Sequence, residues 1–254
     1  MRRMKKVNLL LFVLAASLLF ACSKKQYEIS DIDASLVRMD SAWDAKANPQ
    51  MQALVNTYKQ KLEKEMNVRI GIAAGTLIKG TPQSLLSNLT ADVLKERAEK
   101  TEAYVDFAVI NNGGLRTTLN KGAITVGNLY EIYPFENALV VLDLPGKAVK
   151  EFFDFIAEKG GEGLSTGIQL TIKDGKVKSL KIGNQPLDEN KTYKVATVDY
   201  LAGGNDGMVA FKQATHVLSS NEMLRDIMID YVKECTKNNK EINAKLDNRI
   251  IIDF

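Results

Sequence analysis

The sequence predicts a mixed α/β (α+β) fold in which a single domain occupies residues 49–254. Helical and strand patterns alternate without a strict strand–helix–strand rhythm, which favours a mixed sheet over a purely parallel one. The segments 168–172 and 177–182 flank Asp174-Gly175, a strong signal for a two-stranded hairpin. The roughly 205 residues that follow Asn48 are enough to bury one sizeable core.

The amino terminus has the organisation of a secretory signal. Basic side chains precede a short apolar stretch from Val7 to Phe20, which is too brief and too interrupted for a comfortable membrane span. Leu19-Phe20-Ala21-Cys22 resembles a bacterial lipobox, although an ordinary cleaved signal with a chance cysteine is the alternative. We expect residues 1–21 to be removed, Cys22 to be acylated and residues 22–48 to form a tether. The protein would then be exported and lipid-anchored to the cell envelope, on its periplasmic face or at the cell surface.

The charge balance argues against a nucleic acid polymer as a partner. Without the four basic residues of 1–21, 30 basic and 31 acidic side chains remain, a net charge of about −1. Binding a polyphosphate backbone needs a concentrated basic surface. One small anion needs only one or two well-placed cations, so a small charged ligand stays possible. The membrane is expected as a partner only through the lipid anchor.

Periodicity predicts the elements of the first half of the domain. Apolar residues recur at helical spacing from Met51 to Met66, which predicts an amphipathic helix. A strand is expected over 68–74, and a second helix over 84–100. An apolar, β-branched and aromatic stretch over 104–110 predicts a strand that stops at a glycine-rich turn.

The second half of the domain also shows alternating strand and helix patterns. A strand is expected over 138–144, and a helix follows over 147–159 with its apolar side chains on one face. The hairpin comes next, and 193–198 predicts a strand that leads into a tight glycine loop. A helix over 221–236 and a strand over 249–254 complete the expected order.

Several classes of chemistry are disfavoured by the residues that the sequence offers. Two-metal phosphoesterase chemistry needs several His and Asp ligands, and the chain has one histidine, His216. A Gly-x-Ser-x-Gly elbow is missing, so a serine triad is disfavoured too. His216 is interpreted as a surface or structural residue. Cys235 is interpreted as a buried or half-buried structural cysteine. We therefore expect no catalytic residues and no metal or other cofactor in this chain.

Three unusual turns remain as candidates for a binding site. Asn111-Asn112-Gly113-Gly114-Leu115-Arg116 directly follows a strand, and its glycines let the backbone approach a ligand closely. Asn111 offers both a donor and an acceptor, and Arg116 offers a planar fork of donors. A plain strand-to-loop connection with a solvated arginine is an equally good interpretation of the spacing.

The other two turns each carry an aromatic residue. Phe135 lies just before a predicted strand, and Tyr200 precedes a glycine loop that contains Asp206. Two aromatic rings on separate loops can stack on a flat heterocycle, and a nearby carboxylate can accept hydrogen bonds from sugar hydroxyls. Taken singly, each ring is better explained as a core residue.

These three segments, in this order, resemble the C-terminal, substrate-binding domain of 5'-nucleotidases. The family's pattern is Asn-Gly-Gly-Gly-Ile-Arg, then a Pro-Phe-Gly/Glu-Asn turn, then Asn-Phe-Leu-Ala-Asn-Gly-Gly-Asp-Gly. The chain has Asn111 to Arg116 as quoted above, then Pro134-Phe135-Glu136-Asn137, then Asp199-Tyr200-Leu201-Ala202-Gly203-Gly204-Asn205-Asp206-Gly207. The resemblance extends over roughly residues 50–254.

The resemblance implies a role for each of five residues. Phe135 and Tyr200 would stack on the two sides of a base, and Asn111 would contact the base edge. Arg116 would contact the ribose or phosphate, and Asp206 the ribose hydroxyls. In the family, this domain carries the nucleotide to the dimetal site of a separate N-terminal domain. A second phosphate-binding arginine of the family is replaced here in the region of residues 81–83.

The resemblance leads to two hypotheses. In the first, the chain is a membrane-anchored nucleotide- or nucleoside-binding domain that acts in nucleotide catabolism with a separate metallophosphoesterase partner. That partner would hold the divalent metals. In the second, the chain is a non-catalytic nucleoside-binding or interaction lipoprotein.

Overall fold

The computed structural model describes residues 27–42, 48–102 and 104–254. The predicted signal peptide, Cys22 and part of the predicted tether lie outside these ranges. The helices are α1 (Pro49–Met66), α2 (Leu85–Thr101), α3 (Val126–Ile132), α4 (Gly146–Lys159), α5 (Asp199–Ala202) and α6 (Leu224–Lys237). The strands are β1 (Arg69–Ala73), β2 (Phe107–Ile110), β3 (Gly122–Thr125), β4 (Ala138–Pro145), β5 (Gly163–Leu164), β6 (Ile168–Lys173), β7 (Lys176–Ile182), β8 (Gln185–Pro186), β9 (Thr192–Val198), β10 (His216–Met223) and β11 (Ile250–Asp253).

The chain divides into two units, 1–52 and 53–254. In the first unit, the described residues are exposed, and 27–39 form neither helix nor strand. The second unit contains every strand of the described chain and confirms the predicted mixed α/β class. In the part of the chain that the structure describes, no helix combines the length and apolarity needed to cross a membrane.

The central sheet of the second unit has five strands in the order β10-β4-β9-β2-β5. β2 runs parallel to β9, whereas β4 runs antiparallel to β9 and β10 antiparallel to β4. The carboxyl ends of β2 and β9 therefore lie at the same edge of the sheet as the amino end of β4. This edge collects the loops that follow β2 and β9 and the turn that precedes β4.

A cluster of phenylalanines packs between this sheet and α4. Phe107 of β2 meets Phe152 and Phe153 of α4 at ring-centroid distances of 6.2 and 5.5 Å, and Phe211 stacks on Phe152 at 4.9 Å. All four rings are buried. The apolar side chains of α4 recur at helical spacing and therefore lie on one face of the helix. That face packs on the sheet. The helix ends at Lys159, and Gly160, with a φ of 83°, forms the left-handed cap that follows it.

A second sheet of four strands has the order β11-β6-β7-β8. Strands β6 and β7 form the predicted hairpin, with Ile168 opposite Ile182. The two turn residues, Asp174 and Gly175, have φ angles of 50° and 70°, as a type I′ turn requires. The hairpin prediction is confirmed.

Two predictions about elements were wrong. The helix expected from residue 221 begins at Leu224, because 216–223 pair with β4 as the edge strand β10. The strand expected from Tyr104 begins at Phe107. Tyr104 and Asp106 are instead joined by a side-chain hydrogen bond of 3.1 Å, and Asp106 also binds Lys191 and the Lys194 amide.

Candidate functional site

Three loops meet at the sheet edge where β2 and β9 end and β4 begins. The loop after β2 carries Asn111 and Arg116, and the loop after β9 carries Tyr200 and Asp206. Phe135 lies three residues before β4. Open α/β sheets commonly bind ligands beyond the carboxyl ends of their strands. The topology therefore brings all five predicted residues to one edge.

These loops surround one cavity of about 290 Å³. Its lining consists of Asn111, Gly113, Gly114, Arg116, Phe135, Asn137, Tyr200 and Asp206. The volume lies near the lower end of the range that is common for small-ligand pockets, roughly 300 Å³ and above. Asn137 was not predicted, although it stands in the same short motif as Phe135.

Asn111 is the buried polar residue of the cavity. Its side chain is 3% exposed, and its Nδ2 donates to Asp206 Oδ2 at 2.6 Å. Its Oδ1 has no hydrogen-bond partner among the described residues. A Cβ atom on Gly114 would come within 2.7 Å of this oxygen, so any larger residue there would displace the Asn111 side chain. The glycine at position 114 thus leaves room for the Asn111 amide, which the hydrogen bond to Asp206 holds.

The Asp206 carboxylate links the two glycine loops. Its Oδ2 accepts from Asn111, and its Oδ1 accepts from the Tyr200 hydroxyl at 2.9 Å. The hydrogen bond to Asp206 raises the pKa of Tyr200 above its ordinary value of 10.0, because the Asp206 carboxylate stabilises the protonated hydroxyl. Asp206 has a φ of 53°, a left-handed conformation that Asn and Asp adopt more readily than most residues.

The two aromatic side chains are half exposed. Phe135 is 46% and Tyr200 42% exposed, so neither ring belongs to the core. The Arg116 guanidinium carbon lies 5.9 Å from the centre of the Phe135 ring, and Arg116 Nη1 donates to the Gly113 carbonyl at 3.3 Å. Rings with free faces beside a cavity can stack on a planar ligand.

The loop after β2 has supports that sequence reasoning did not find. Lys79 donates from Nζ to the Leu115 carbonyl and, at 3.5 Å, to the Asn112 carbonyl. The buried Glu162 accepts from the Asn112 backbone amide and pairs with Lys159. These contacts join segments that are far apart in sequence, so no local motif signals them.

The remaining polar candidates lie outside the cavity. His216 is exposed on β10, and Cys235 is a free, half-buried cysteine on α6, as predicted. Within the described residues, His, Cys, Asp and Glu side chains form no group of three or more that could hold a metal ion.

Comparisons with known proteins identify a family and a similar fold. Residues 52–213 match the family model described as 5'-nucleotidase, C-terminal domain. Protein UshA of Escherichia coli K12 is 31% identical over 166 residues, which are 63% of this chain and 30% of that protein. The cell wall protein Lmo0130 of Listeria monocytogenes is 28% identical over 80% of this chain and 29% of its own length.

A solved structure gives the same result for the fold. The 5'-nucleotidase precursor of Thermus thermophilus superposes with a TM-score of 0.68 at 27% identity, over 80% of this chain and 42% of that chain. The chain therefore spans 29% to 42% of the lengths of these similar proteins. The family match over residues 52–213 includes the residues that line the cavity.

Proposed function

Since the chain belongs to the 5'-nucleotidase C-terminal domain family, we propose that its cavity binds a nucleoside or nucleotide for nucleotide catabolism. One observation carries the proposal. Two half-exposed rings, Phe135 and Tyr200, share a single cavity with the Asn111 amide and the Asp206 carboxylate. An aromatic surface for a flat base and a carboxylate for sugar hydroxyls are the groups that a nucleoside needs.

The contacts follow from the chemistry of each side chain. A base beside Phe135 and Tyr200 gains about 1–3 kcal/mol per stacking contact. The unpartnered Oδ1 of Asn111 can accept from an exocyclic amino group. Asp206 keeps free lone pairs on both oxygens for ribose hydroxyls, because a carboxylate accepts up to about four hydrogen bonds. Arg116 can pair with a phosphate or a hydroxyl.

Hydrolysis would be supplied by a separate protein. The sequence has one histidine, too few for the His-rich ligand set of a dimetal phosphoesterase. We propose that a separately encoded metallophosphoesterase holds the divalent metals and acts on nucleotides that this domain presents. Export to the cell envelope is supported by the similar cell wall protein of Listeria monocytogenes. Anchoring through an acylated Cys22 is part of the same proposal.

A second function, capture of nucleosides without catalysis, is favoured by one feature of the cavity. Arg116 is the one cationic side chain in the described lining, and it already donates to the Gly113 carbonyl. A cavity with one cation favours an uncharged nucleoside more than a nucleotide. In this alternative, the protein binds its ligand with no partner.

Calorimetry with the full-length chain in lipid nanodiscs tests ligand binding directly. Binding of adenosine and binding of AMP to the unmodified protein should each release heat. Tyr200→Ala should weaken the binding of both ligands at least fivefold. Tyr58→Ala is the matched control, because Tyr58 is an exposed tyrosine that does not line the cavity. Absence of binding by the unmodified protein would remove the ligand site.

A mixing experiment separates the two functions. The partner to test is an exported metallophosphoesterase from the same genome that lacks a domain of this family. Phosphate release from AMP should rise at least tenfold when the two proteins are combined. If release stays at the level of the metallophosphoesterase alone while adenosine still binds, capture without catalysis is the better description.

A further inference from the structure

A buried carboxylate lies directly behind the loop after β2. Glu162 stands between α4 and β5, and its side chain is fully buried. Strand β5 pairs antiparallel with β2, and Ile110 lies opposite Gly163. The register therefore brings the residue before Gly163 beside the residues that follow Ile110. Glu162 Oε1 accepts a hydrogen bond from the Asn112 backbone amide at 2.5 Å, which continues the contact between the two strands into the loop.

The burial of this carboxylate requires specific partners. Removing a carboxylate from water is unfavourable unless the group is paired and hydrogen-bonded. Oε2 of Glu162 pairs with the Lys159 ammonium at the end of α4, and Oε1 accepts from the Asn112 amide. The Asn112 carbonyl in turn accepts from Lys79 at 3.5 Å. Charged side chains therefore hold both backbone groups of Asn112.

The same end of α4 contacts the second glycine loop. The Lys159 ammonium lies 5.9 Å from the centre of the Phe155 ring, one helical turn earlier. This ring packs against Gly207 so closely that a Cβ atom at Gly207 would overlap it. Gly207 directly follows Asp206 in the loop after β9. The end of α4 and Glu162 thus touch both loops.

The hydrogen bond between the two loops depends on the positions of both. Asn111 Nδ2 donates to Asp206 Oδ2 at 2.6 Å. Asn111 directly precedes Asn112, the residue whose amide donates to Glu162. Asp206 directly precedes Gly207 in the other loop. Binding groups must be held within about 0.5 Å of their productive positions, so a shift of either loop would weaken the contacts that the two side chains make with a ligand.

We propose that Glu162 is a positioning residue for ligand binding. Through the Asn112 amide, it holds Asn111 where that side chain meets both Asp206 and the nucleoside. This inference rests on the proposed function and adds a residue that acts on the ligand from outside the cavity. Glu162 is not part of the cavity lining, so its effect passes through the loop after β2. Lys159 holds the Glu162 carboxylate in place.

Coupling between Glu162 and Asn111 in adenosine binding tests the proposal. Glu162→Gln offers one acceptor oxygen in place of two, so Lys159 and the Asn112 amide compete for it. Calorimetry with the full-length chain in nanodiscs should show adenosine binding weakened about fivefold, the equivalent of one lost hydrogen bond. In an Asn111→Ala background, the same substitution should weaken binding less than about twofold, because the group that Glu162 positions is already absent.

Phe135→Ala provides the matched control background. Phe135 lines the cavity on a different loop, so its removal leaves the path from Glu162 to Asn111 intact. In that background, Glu162→Gln should still weaken adenosine binding about fivefold, since the effects of independent sites add. Equal losses in the Asn111→Ala and Phe135→Ala backgrounds overturn the proposal, because a general loosening of the fold does not depend on Asn111. Adenosine binding that Glu162→Gln alone leaves unchanged overturns it as well.

A magnetic resonance measurement tests the proposal even if Glu162→Gln fails to fold. Lys159→Gln removes the partner of Glu162 at a partly exposed position, and it should shift the side-chain amide resonances of Asn111 in the free protein. Lys147→Gln, at an exposed position in the first turn of α4, is the control and should leave these resonances in place. Asn111 resonances that Lys159→Gln leaves unchanged overturn the proposal. Absence of adenosine binding by the unmodified protein contradicts the proposed function instead, whatever the resonances show.

Discussion

At the scale of single residues, the Asp206 carboxylate connects the two glycine loops of the cavity. It accepts from the Asn111 amide of one loop and from the Tyr200 hydroxyl of its own loop. Each carboxylate oxygen accepts one of these hydrogen bonds, so the orientation of the carboxylate is fixed before a ligand binds. The residue thus combines support of the loops with a predicted contact to sugar hydroxyls.

Replacing Asp206 by Asn tests this double role. The amide tolerates the left-handed backbone but offers one acceptor oxygen in place of two. We expect adenosine affinity to fall about tenfold, and the free energy of unfolding to fall by roughly 1 kcal/mol, the typical net value of a hydrogen bond. Calorimetry and urea titration measure the two effects. Unchanged affinity would mean that the carboxylate makes no ligand contact.

Tyr200 offers a second test, because its ring and its hydroxyl can be removed separately. Tyr200→Phe keeps the ring and loses only the hydrogen bond to Asp206, so adenosine affinity should fall less than about tenfold. Tyr200→Ala removes stacking and should cost about 1–3 kcal/mol of binding free energy. Competition binding with both variants shows which substitution lowers the adenosine affinity more. A larger loss for Phe than for Ala would exclude stacking on this ring.

Sequence reasoning found five cavity residues through short motifs and missed the supports of the loop after β2, which depend on tertiary contacts. Asn111, Arg116, Phe135, Tyr200 and Asp206 each lie within three residues of a glycine or proline that signals a turn. Lys79, which donates to the Leu115 carbonyl, comes from a distant segment with no local signal and reaches the loop after β2 only in the folded chain. Its contribution depends on a long-range contact that no spacing in the sequence encodes.

At the scale of elements, strands with strong apolar patterns were predictable and the edge strand was not. β4 and β9 are almost wholly buried, and the hairpin has a distinctive turn. β10 is exposed along most of its length, and Ser219-Ser220 interrupts its apolar pattern. Pairing with β4 makes it a strand. The predicted helix consequently began three residues too early.

The packing of α4 on the sheet makes a quantitative prediction. Phe153 is fully buried and contacts the rings of Phe107 and Phe152. Phe153→Ala should lower the free energy of unfolding by about 3–5 kcal/mol, because truncation of a buried ring leaves a cavity. Phe254→Ala is the control, since that ring is fully exposed and its loss should change stability by less than about 0.5 kcal/mol. Chemical denaturation measures both.

At the scale of the whole molecule, a buried arginine ties the end of the chain to the rest of the domain. Arg249 is 3% exposed and donates to Asp92 of α2, to Asp247 and to the Leu164 carbonyl of β5. Partial burial alone would raise the pKa of Asp247. Hydrogen bonds and charge from Arg249 outweigh burial and hold the pKa of Asp247 below its ordinary value of 3.8.

This lowered pKa gives stability a defined pH dependence. The stabilisation is complete above pH 3.8 and is lost as pH falls through the lower pKa of the folded state. Between about pH 5 and pH 3, the unmodified protein should lose more free energy of unfolding than Asp247→Asn. The difference should not exceed about 1 kcal/mol, because solvent screens this partly exposed carboxylate. Parallel curves for the two proteins would contradict the assignment.

The cavity lies in loops at the sheet edge, whereas the phenylalanine cluster holds α4 to the sheet without lining that cavity. Substitutions that change ligand preference are thereby separated from those that endanger folding. Substitutions that accumulate in the three loops can therefore change which ligand binds, while the sheet and α4 keep their packing. The same separation makes the domain a practical starting point for directed evolution, with a library confined to three short loops and a core left untouched.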